Sequence, residues 1–321
     1  MHVLGLVLST PFIELAALFL SIVWMIRDQT DKVRPLLVIA LTVNLFYGIL
    51  LSIFMGAEGS LLPWKYDAIL LRLDQALGIS TGSLAAPLQG AWRVPLGTIY
   101  QLMVPMMICW FLVARRAALG GPLVLAYVAE LVTGPLLYAI VPGCGPAYAM
   151  GANWMHAAPP RPVLMRLGGM PNAFPSLHVA TALVLVLFAP GRWSRAVAVA
   201  FFTATVMATI STGEHYVIDL VPGLAFACYA AEVGLRRFWW ALPQLGVAVL
   251  WCLMVRFEFG WLISHPAVLR SLAALTVIAA VATVARHWSL HRHRALEVTT
   301  GSDEIPYSAP EQPPPVHMAR P

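Results

Sequence analysis

Long apolar runs separated by short polar turns dominate the first 290 residues of the chain. A helix needs about 20 mostly apolar residues to cross a bilayer, and the pattern contains about nine such runs. The runs are Leu4–Ile26, Pro35–Phe54, Val94–Ala114, Pro122–Ile140, Ser176–Ala189, Ser194–Ile210, Tyr216–Val233, Leu242–Val255 and Val268–Ala285. Totals of about eight or ten also fit, because the last two runs are the least distinct. The pattern predicts an all-α fold, a polytopic transmembrane helix bundle.

The composition supports this prediction. Of the 321 residues, 60% are hydrophobic and 11% are charged, and the mean hydropathy is +0.77. Soluble domains carry about 25% charged residues, so a water-soluble fold could not cover this much apolar surface. The four cysteines form no CxxC pair, so neither a zinc site nor a disulfide framework is indicated. We expect an integral, multi-pass protein of the cell membrane whose first apolar run is an uncleaved span.

The positive charge indicates an orientation. The net charge is +5 and the pI is near 9.2, but the basic residues lie in short loops and form no stripe, so nucleic-acid binding is not favoured. Thirteen of the 20 Lys and Arg residues fall on one side of the predicted bundle: Arg27, Lys32, Arg34, Arg115, Arg116, Arg192, Arg195, Arg236, Arg237, Arg286, Arg292, Arg294 and Arg320. By the positive-inside rule this side is cytoplasmic. The N-terminus is therefore predicted outside and the C-terminus inside.

The segments between and after the spans differ in character. The outer loop Gly56–Arg93 contains an amphipathic stretch, Tyr66–Leu77, which predicts a short helix at the membrane interface. The outer loop Val141–Pro175 is rich in Pro and Gly and is expected to be irregular. Residues 1–290 are predicted to form a transmembrane catalytic domain, and residues 291–321 a basic, then Pro-rich, disordered cytoplasmic tail. Basic residues from Arg286 to Arg294 are interpreted as a positive-inside anchor, and Trp and Tyr residues near span ends, such as Tyr100, as interface anchors.

Two short segments carry candidate chemistry. In Asn172-Ala173-Phe174-Pro175-Ser176-Leu177-His178, Ser176 is the predicted N-cap of the fifth span. A helix N-terminus offers free N–H groups and a positive dipole end, which favour phosphate. The second segment, Ser211 to Asp219, opens the seventh span and holds His215 and Asp219 four residues apart. If this stretch is helical, the carboxylate can fix the tautomer of the imidazole and leave its other nitrogen free to attack.

The predicted topology puts both segments on the outer side. The fifth span has only about 14 residues, or roughly 20 Å at 1.5 Å per residue, against a hydrocarbon thickness of about 30 Å. His178 would therefore lie several ångströms below the outer surface, where it could meet a lipid headgroup.

These motifs resemble the type 2 phosphatidic acid phosphatase superfamily, over residues of about 60–235. The Phe-Pro-Ser-Leu-His run at Phe174–His178 and the His-Tyr-x-x-Asp-Leu run at His215–Leu220 resemble the branch of the fungal inositol phosphorylceramide synthases. The segment Pro142–Tyr148 is loosely similar to a Pro-Cys-rich segment of that branch.

The resemblance implies roles for these positions. His215 would attack phosphorus and form a phosphohistidine, Asp219 would orient His215, and His178 would protonate the leaving oxygen. A lipid phosphate would be the donor, and water, a lipid or a polyol the acceptor, with no cofactor or metal. Ser176, Leu177 and Tyr148 would contribute to phosphate binding.

The sequence departs from the superfamily pattern in its cations. Thr209 stands where most members have an Arg, and Trp154 stands where the Lys before Arg161-Pro162 would be. The phosphate-binding cations are therefore predicted among other residues. Arg161 and Arg166 are the first candidates, followed by Lys65, Arg72 and Arg93.

Several alternatives stay open. Glu214, His215, Asp219 and His178 could bind a divalent metal. Glu14 and Glu130 lie inside apolar runs, where they are expected to bond Asn44 or one another, although such groups can be functional. The chemistry could be lipid-phosphate or prenyl-phosphate hydrolysis instead of transfer. A transporter is disfavoured, because no paired interrupted helices are visible.

Overall fold

The structure, a computed structural model, describes residue 53, residues 55–160 and residues 163–300, with side chains up to residue 290. The sequence predictions for the following regions lie outside this part: the spans Leu4–Ile26 and Pro35–Phe54, the residues Glu14, Asn44 and Arg161, and the tail from residue 301.

Helices make up most of the described chain. After a helical segment at residues 55–61 they are α1 (Asp67–Leu77), α2 (Thr81–Ala85), α3 (Arg93–Gln101), α4 (Met103–Arg115), α5 (Gly120–Ile140), α6 (Pro146–Met150), α7 (Leu177–Leu187), α8 (Arg192–Thr212), α9 (Val217–Gly234), α10 (Phe238–Phe257), α11 (Phe259–Ser264) and α12 (Pro266–Thr300). Three 3₁₀ turns occupy Ala86–Leu88, Gly90–Trp92 and Gly151–His156. Two short strands, β1 (Trp64–Lys65) and β2 (Met165–Arg166), pair antiparallel and tie the two outer loops together.

Five described helices are long and apolar enough to cross a membrane: α5, α8, α9, α10 and residues Pro266–Leu290 of α12. A sixth span results if Gly90–Gln101 and Met103–Arg115, which meet at a bend of 54°, are counted as one. Helix α7 is apolar but has only 11 residues. Each apolar run predicted after residue 93 therefore contains a helix, and the prediction of an all-α membrane bundle is confirmed. The total number of spans stays a prediction.

Helix α9 is the centre of the bundle and packs against α5, α7, α10 and α12. Of its apolar window 83% is buried, compared with 28% for α10 and 22% for the window in α12. A helix that is apolar on every side is typical of such a central position. The start of α9, which follows His215, is therefore enclosed by protein.

Close contacts fix α7 against its neighbours. The backbone N–H of Ser176, just before α7, donates to the carbonyl of Asp219 in α9 at 3.0 Å. A Cβ on Gly223 would lie 2.8 Å from the Ser176 carbonyl oxygen, so only glycine permits this approach. Thr181 of α7 donates to the carboxyl of Glu130 at 3.0 Å, so the intramembrane acid of α5 contacts α7 one turn beyond His178.

Two sequence interpretations change in the structure. The helix predicted in Tyr66–Leu77 is present as α1, but Asp67 and Asp74 are fully buried, because α1 packs against α9 and α11 and leaves these carboxyls no solvated face. At the other end of α9, buried Glu232 is ion-paired with Arg286 and bonded to His287 at 2.9 Å. Arg286 and His287, which the sequence analysis interprets as part of a positive-inside anchor, thus contact the carboxyl of Glu232.

We expect Gly223→Ala to force α7 away from α9. The added methyl meets backbone, so the overpacking should cost about 1–3 kcal/mol of stability. Thermal unfolding in detergent should show a lower midpoint. Gly246→Ala in α10 is the matched control, because a Cβ there meets nothing within 4 Å. Equal midpoints for the two variants would contradict the assigned α7–α9 contact.

Candidate active site

His178 enters the site from the start of α7. Ser176 is the N-cap, as the sequence predicts, and its hydroxyl accepts the N–H of Val179 at 3.4 Å. Ser176 and Leu177 are buried at this helix start, so His178 is fixed in the first turn.

His215 lies in the connection between α8 and α9. Helix α8 ends at Gly213, whose φ of 74° is the left-handed conformation that glycine adopts readily. The imidazole of His215 is fully buried, and its Nδ1 lies 2.9 Å from the carbonyl oxygen of Ala173. Because a carbonyl only accepts, Nδ1 carries the hydrogen and Nε2 holds the lone pair. No protein group in the described chain hydrogen-bonds Nε2.

The two imidazoles that the sequence pairs are neighbours. Their ring centroids lie 6.0 Å apart with an interplanar angle of 63°, in an edge-to-face arrangement. His178 arrives from α7 and His215 from the α8–α9 connection, and the Ala173 carbonyl links the two segments. The histidines of the two separate motifs therefore lie next to each other.

Asp219 is close to His215 but does not form the predicted hydrogen bond. Its Oδ2 lies 3.7 Å from Nδ1 and accepts the N–H of Tyr216 at 2.7 Å. The i,i+4 argument fails because α9 begins after His215, which therefore does not lie on the helical face. The Ala173 carbonyl sets the tautomer instead, and the Asp219 carboxyl lies near the ring without a hydrogen bond to it.

Tyr100 of α3 also reaches the site. Its ring stacks on His178 with centroids 3.9 Å apart and an interplanar angle of 21°. The interpretation of Tyr100 as an interface anchor misses its contact with His178, because the sequence shows only a Tyr near a span end. The structure adds that α3 packs against α8.

Asp67 holds the loop that faces His215. Its carboxyl accepts the N–H groups of Cys144 and Gly145 and the hydroxyl of Tyr216, at distances of 2.9–3.1 Å. Burial raises the pKa of Asp67 to about 6, although these hydrogen bonds favour the carboxylate. Gly145 has a φ of 89°, and a Cβ there would overlap the carbonyl of Glu214. The segment Pro142–Tyr148 therefore packs directly against the His215 segment.

Asp74 caps α9. It accepts the N–H of Ile218 at 2.8 Å and of Val217 at 3.1 Å, and the hydroxyl of Thr81. Burial raises its pKa to about 7, and these hydrogen bonds act in the opposite direction. Asp74 thus fixes the helix start that follows His215, a role that the amphipathic pattern of α1 did not indicate.

Glu214 lies beside the nucleophile candidate and is half-buried. Its carboxyl accepts the side-chain N–H of Asn172 at 3.4 Å, and burial raises its pKa. The suggested metal set is not assembled: the described residues contain no group of three or more His, Cys, Asp or Glu side chains placed to hold a metal ion.

The candidate cations within the described chain, together with Tyr148, are either exposed or bonded to backbone carbonyls. Arg166 is exposed in β2, and Tyr148 is exposed in α6. Arg72 donates to the carbonyl of Pro160 at 2.8 Å, and Lys65 donates to that of Leu62. Arg93, the last candidate cation, is exposed at the start of α3. Thr209, which occupies the position of the superfamily Arg, is buried in α8 and donates to the carbonyl of Val206.

We expect Asp74→Ala to loosen the start of α9. The buried N–H of Ile218 would lose its acceptor, at a cost of about 1–3 kcal/mol, whereas the N–H of Val217 would keep the Thr81 hydroxyl at 3.2 Å. Thermal unfolding should report the loss, and turnover should fall because His215 precedes the freed turn. Gln75→Ala is the control, since Gln75 is exposed on the same helix. A wild-type midpoint for Asp74→Ala would contradict the capping role.

Comparison with known proteins places this geometry in a family. The sequence model of the PAP2 superfamily matches residues 68–233, just over half of the chain. The match runs from the beginning of α1 to the end of α9 and contains both imidazoles, Tyr100 and Asp74. No curated protein and no solved structure matches the chain. The chain belongs to the PAP2 superfamily, whose members are phosphatases or phosphotransferases that act on phosphate esters.

Proposed function

We propose that this membrane enzyme transfers a phosphate-containing headgroup from a lipid donor to an acceptor through a phosphohistidine at His215. One observation carries the proposal. The two imidazoles lie 6.0 Å apart, and Nε2 of His215 holds a lone pair with no protein partner in the described chain. A nucleophile and an acid on either side of one phosphorus would need such a separation.

The first half-reaction forms a P–N bond. Nε2 of His215 attacks phosphorus, the P–O bond to the leaving group breaks, and His178 gives its proton to the departing oxygen. The Nδ1–H of His215 keeps its bond to Ala173, and Asp219, 3.7 Å away, offsets the positive charge that develops on the ring.

The second half-reaction reverses these roles. His178 is now neutral and takes the proton of the acceptor hydroxyl while the oxygen of that hydroxyl attacks phosphorus. The P–N bond breaks, and both imidazoles return to their starting states. Donor and acceptor thus use the same two side chains in turn, and the proton taken from the acceptor replaces the one given to the leaving group.

The motifs Phe174–His178 and His215–Leu220 favour transfer over hydrolysis, because they are similar to those of the inositol phosphorylceramide synthase branch. The short helix α7 also favours a site near the lipid headgroups, which we assign to the non-cytoplasmic side of the cell membrane from the distribution of Lys and Arg.

The nucleophile can be tested with ³²P-labelled phosphatidic acid and a ³²P-labelled prenyl phosphate in detergent micelles. A brief quench should trap label on the wild-type protein in an acid-labile form. His215→Ala should trap none and lose turnover by about 10³-fold or more, because the covalent step disappears. His178→Ala should lose about 10²–10⁴-fold. The control His265→Ala, at an exposed imidazole between α11 and α12, should match the wild type.

The fate of the label separates the two reactions. Transfer produces a new labelled lipid or polyol phosphate when the acceptor is supplied, whereas hydrolysis releases inorganic phosphate at the same rate with or without it. Near wild-type turnover in His215→Ala would end the nucleophile assignment in either case.

The pH profile offers an independent prediction. Burial lowers the pKa of His215 to about 4, with the hydrogen bond to Ala173 acting in the opposite direction. Attack requires the neutral ring, so protonation of His215 should abolish activity as the pH drops through about 4, below any loss that follows protonation of Asp67 and Asp74, whose pKa values burial raises to about 6 and about 7. The lowest acid limb of kcat/KM reports His215 in the free enzyme. Activity that does not fall between about pH 5 and about pH 3 would contradict the assignment of His215 as the nucleophile.

A further inference from the structure

The contact between Tyr100 and His178 has no place in the two half-reactions above. Tyr100 stands near the end of α3, just before the 54° break that separates α3 from α4. Its ring is parallel to the imidazole within 21° at a centroid distance of 3.9 Å, so the two faces are in van der Waals contact. The helix that carries Tyr100 is not one of the elements that carry the two histidines.

We propose that Tyr100 is a positioning residue for His178, holding the plane of the imidazole and stabilising the protonated ring that serves the leaving group. This inference rests on the proposed function, since it assigns His178 the acid role.

The stacking geometry supplies both effects. Torsion about the bond to an imidazole ring is broad, so a ring in the first turn of a helix needs a contact to fix its plane. The tyrosine face provides that contact on one side of His178, while His215 meets it edge-on from another direction. The negative face of an aromatic ring also attracts a cation placed over it, and more strongly where water is excluded.

Other titratable groups lie in the elements around His178. Asp219 lies in α9, and Glu214 and His215 lie in the connection before it. Glu130 approaches α7 from α5 but is bonded to Thr181. Tyr100 carries no charge and stacks on the imidazole, so its effect can be separated by changing the ring and leaving every charge in place.

Three variants test the inference with the labelled phosphatidic acid assay. Tyr100→Leu removes the ring, Tyr100→Phe keeps the face and removes the hydroxyl, and Tyr229→Leu is the matched control. Tyr229 stacks on Phe226 within α9, so its replacement also removes a stacked ring from a membrane helix.

We expect Tyr100→Leu to reduce kcat by about tenfold, with KM changed less than twofold. In the pH profile of kcat, the alkaline limb should move to lower pH by about half to one unit. The reason is that protonated His178 loses the attraction of the Tyr100 ring, which has the size typical of cation–π pairs. Tyr100→Phe should keep the wild-type limb and at least half of kcat. Tyr229→Leu should leave the limb unchanged.

A wild-type alkaline limb in Tyr100→Leu, or an equal shift in Tyr229→Leu, would overturn the role of Tyr100. If Tyr100→Leu does not reach the membrane as a monodisperse protein, Tyr100→Trp and Tyr100→Met take its place. Only the Met variant should shift the limb, and identical profiles for the two would overturn the inference. The proposed function is tested separately by the label trapped on His215. If the Tyr100 prediction fails while the label is still trapped, the role of Tyr100 is wrong and the phosphohistidine mechanism is retained.

Discussion

One hydrogen bond, from Nδ1 of His215 to the carbonyl of Ala173, underlies the geometry of the site. It joins the segment before α7 to the segment before α9, so it brings the two imidazoles into one neighbourhood. In a buried site an unpaired polar partner costs about 1–3 kcal/mol, which gives this contact weight. The same bond leaves the lone pair on Nε2. The position and the chemical state of the candidate nucleophile therefore follow from a single contact.

The spanning helices alone could not build this site. The N–H groups in the first turn of α9 have no acceptors within the helix. Lipid tails offer no acceptors, and water is excluded from this buried position. Asp74 from α1 accepts two of these N–H groups, and Asp67 holds the loop that packs against Glu214, just before α9. Both carboxyls are buried for this purpose, which is why their pKa values are raised. The segment that contains α1 is thus part of the scaffold of the candidate site.

The local features of the sequence predict much of this structure. Apolar runs of sufficient length give the helices α5, α8, α9, α10 and α12, since hydrophobic length is the dominant requirement for crossing a bilayer. A Ser after a Pro gives the N-cap of α7, because capping depends on neighbouring residues only. The two histidine motifs each open a helix on the same predicted side, so their proximity follows from topology.

The contacts that complete the site depend on partners distant in sequence. A Tyr near a span end is usually an interface anchor, and nothing local shows that Tyr100 covers an imidazole. A backbone carbonyl such as that of Ala173 has no residue signature. The acids of α1 have the spacing of a solvated helix face, and they are buried because α9 begins beside them. In a bundle that excludes water, each buried helix start requires acceptors, so an acid in an adjoining amphipathic segment should first be considered as a cap.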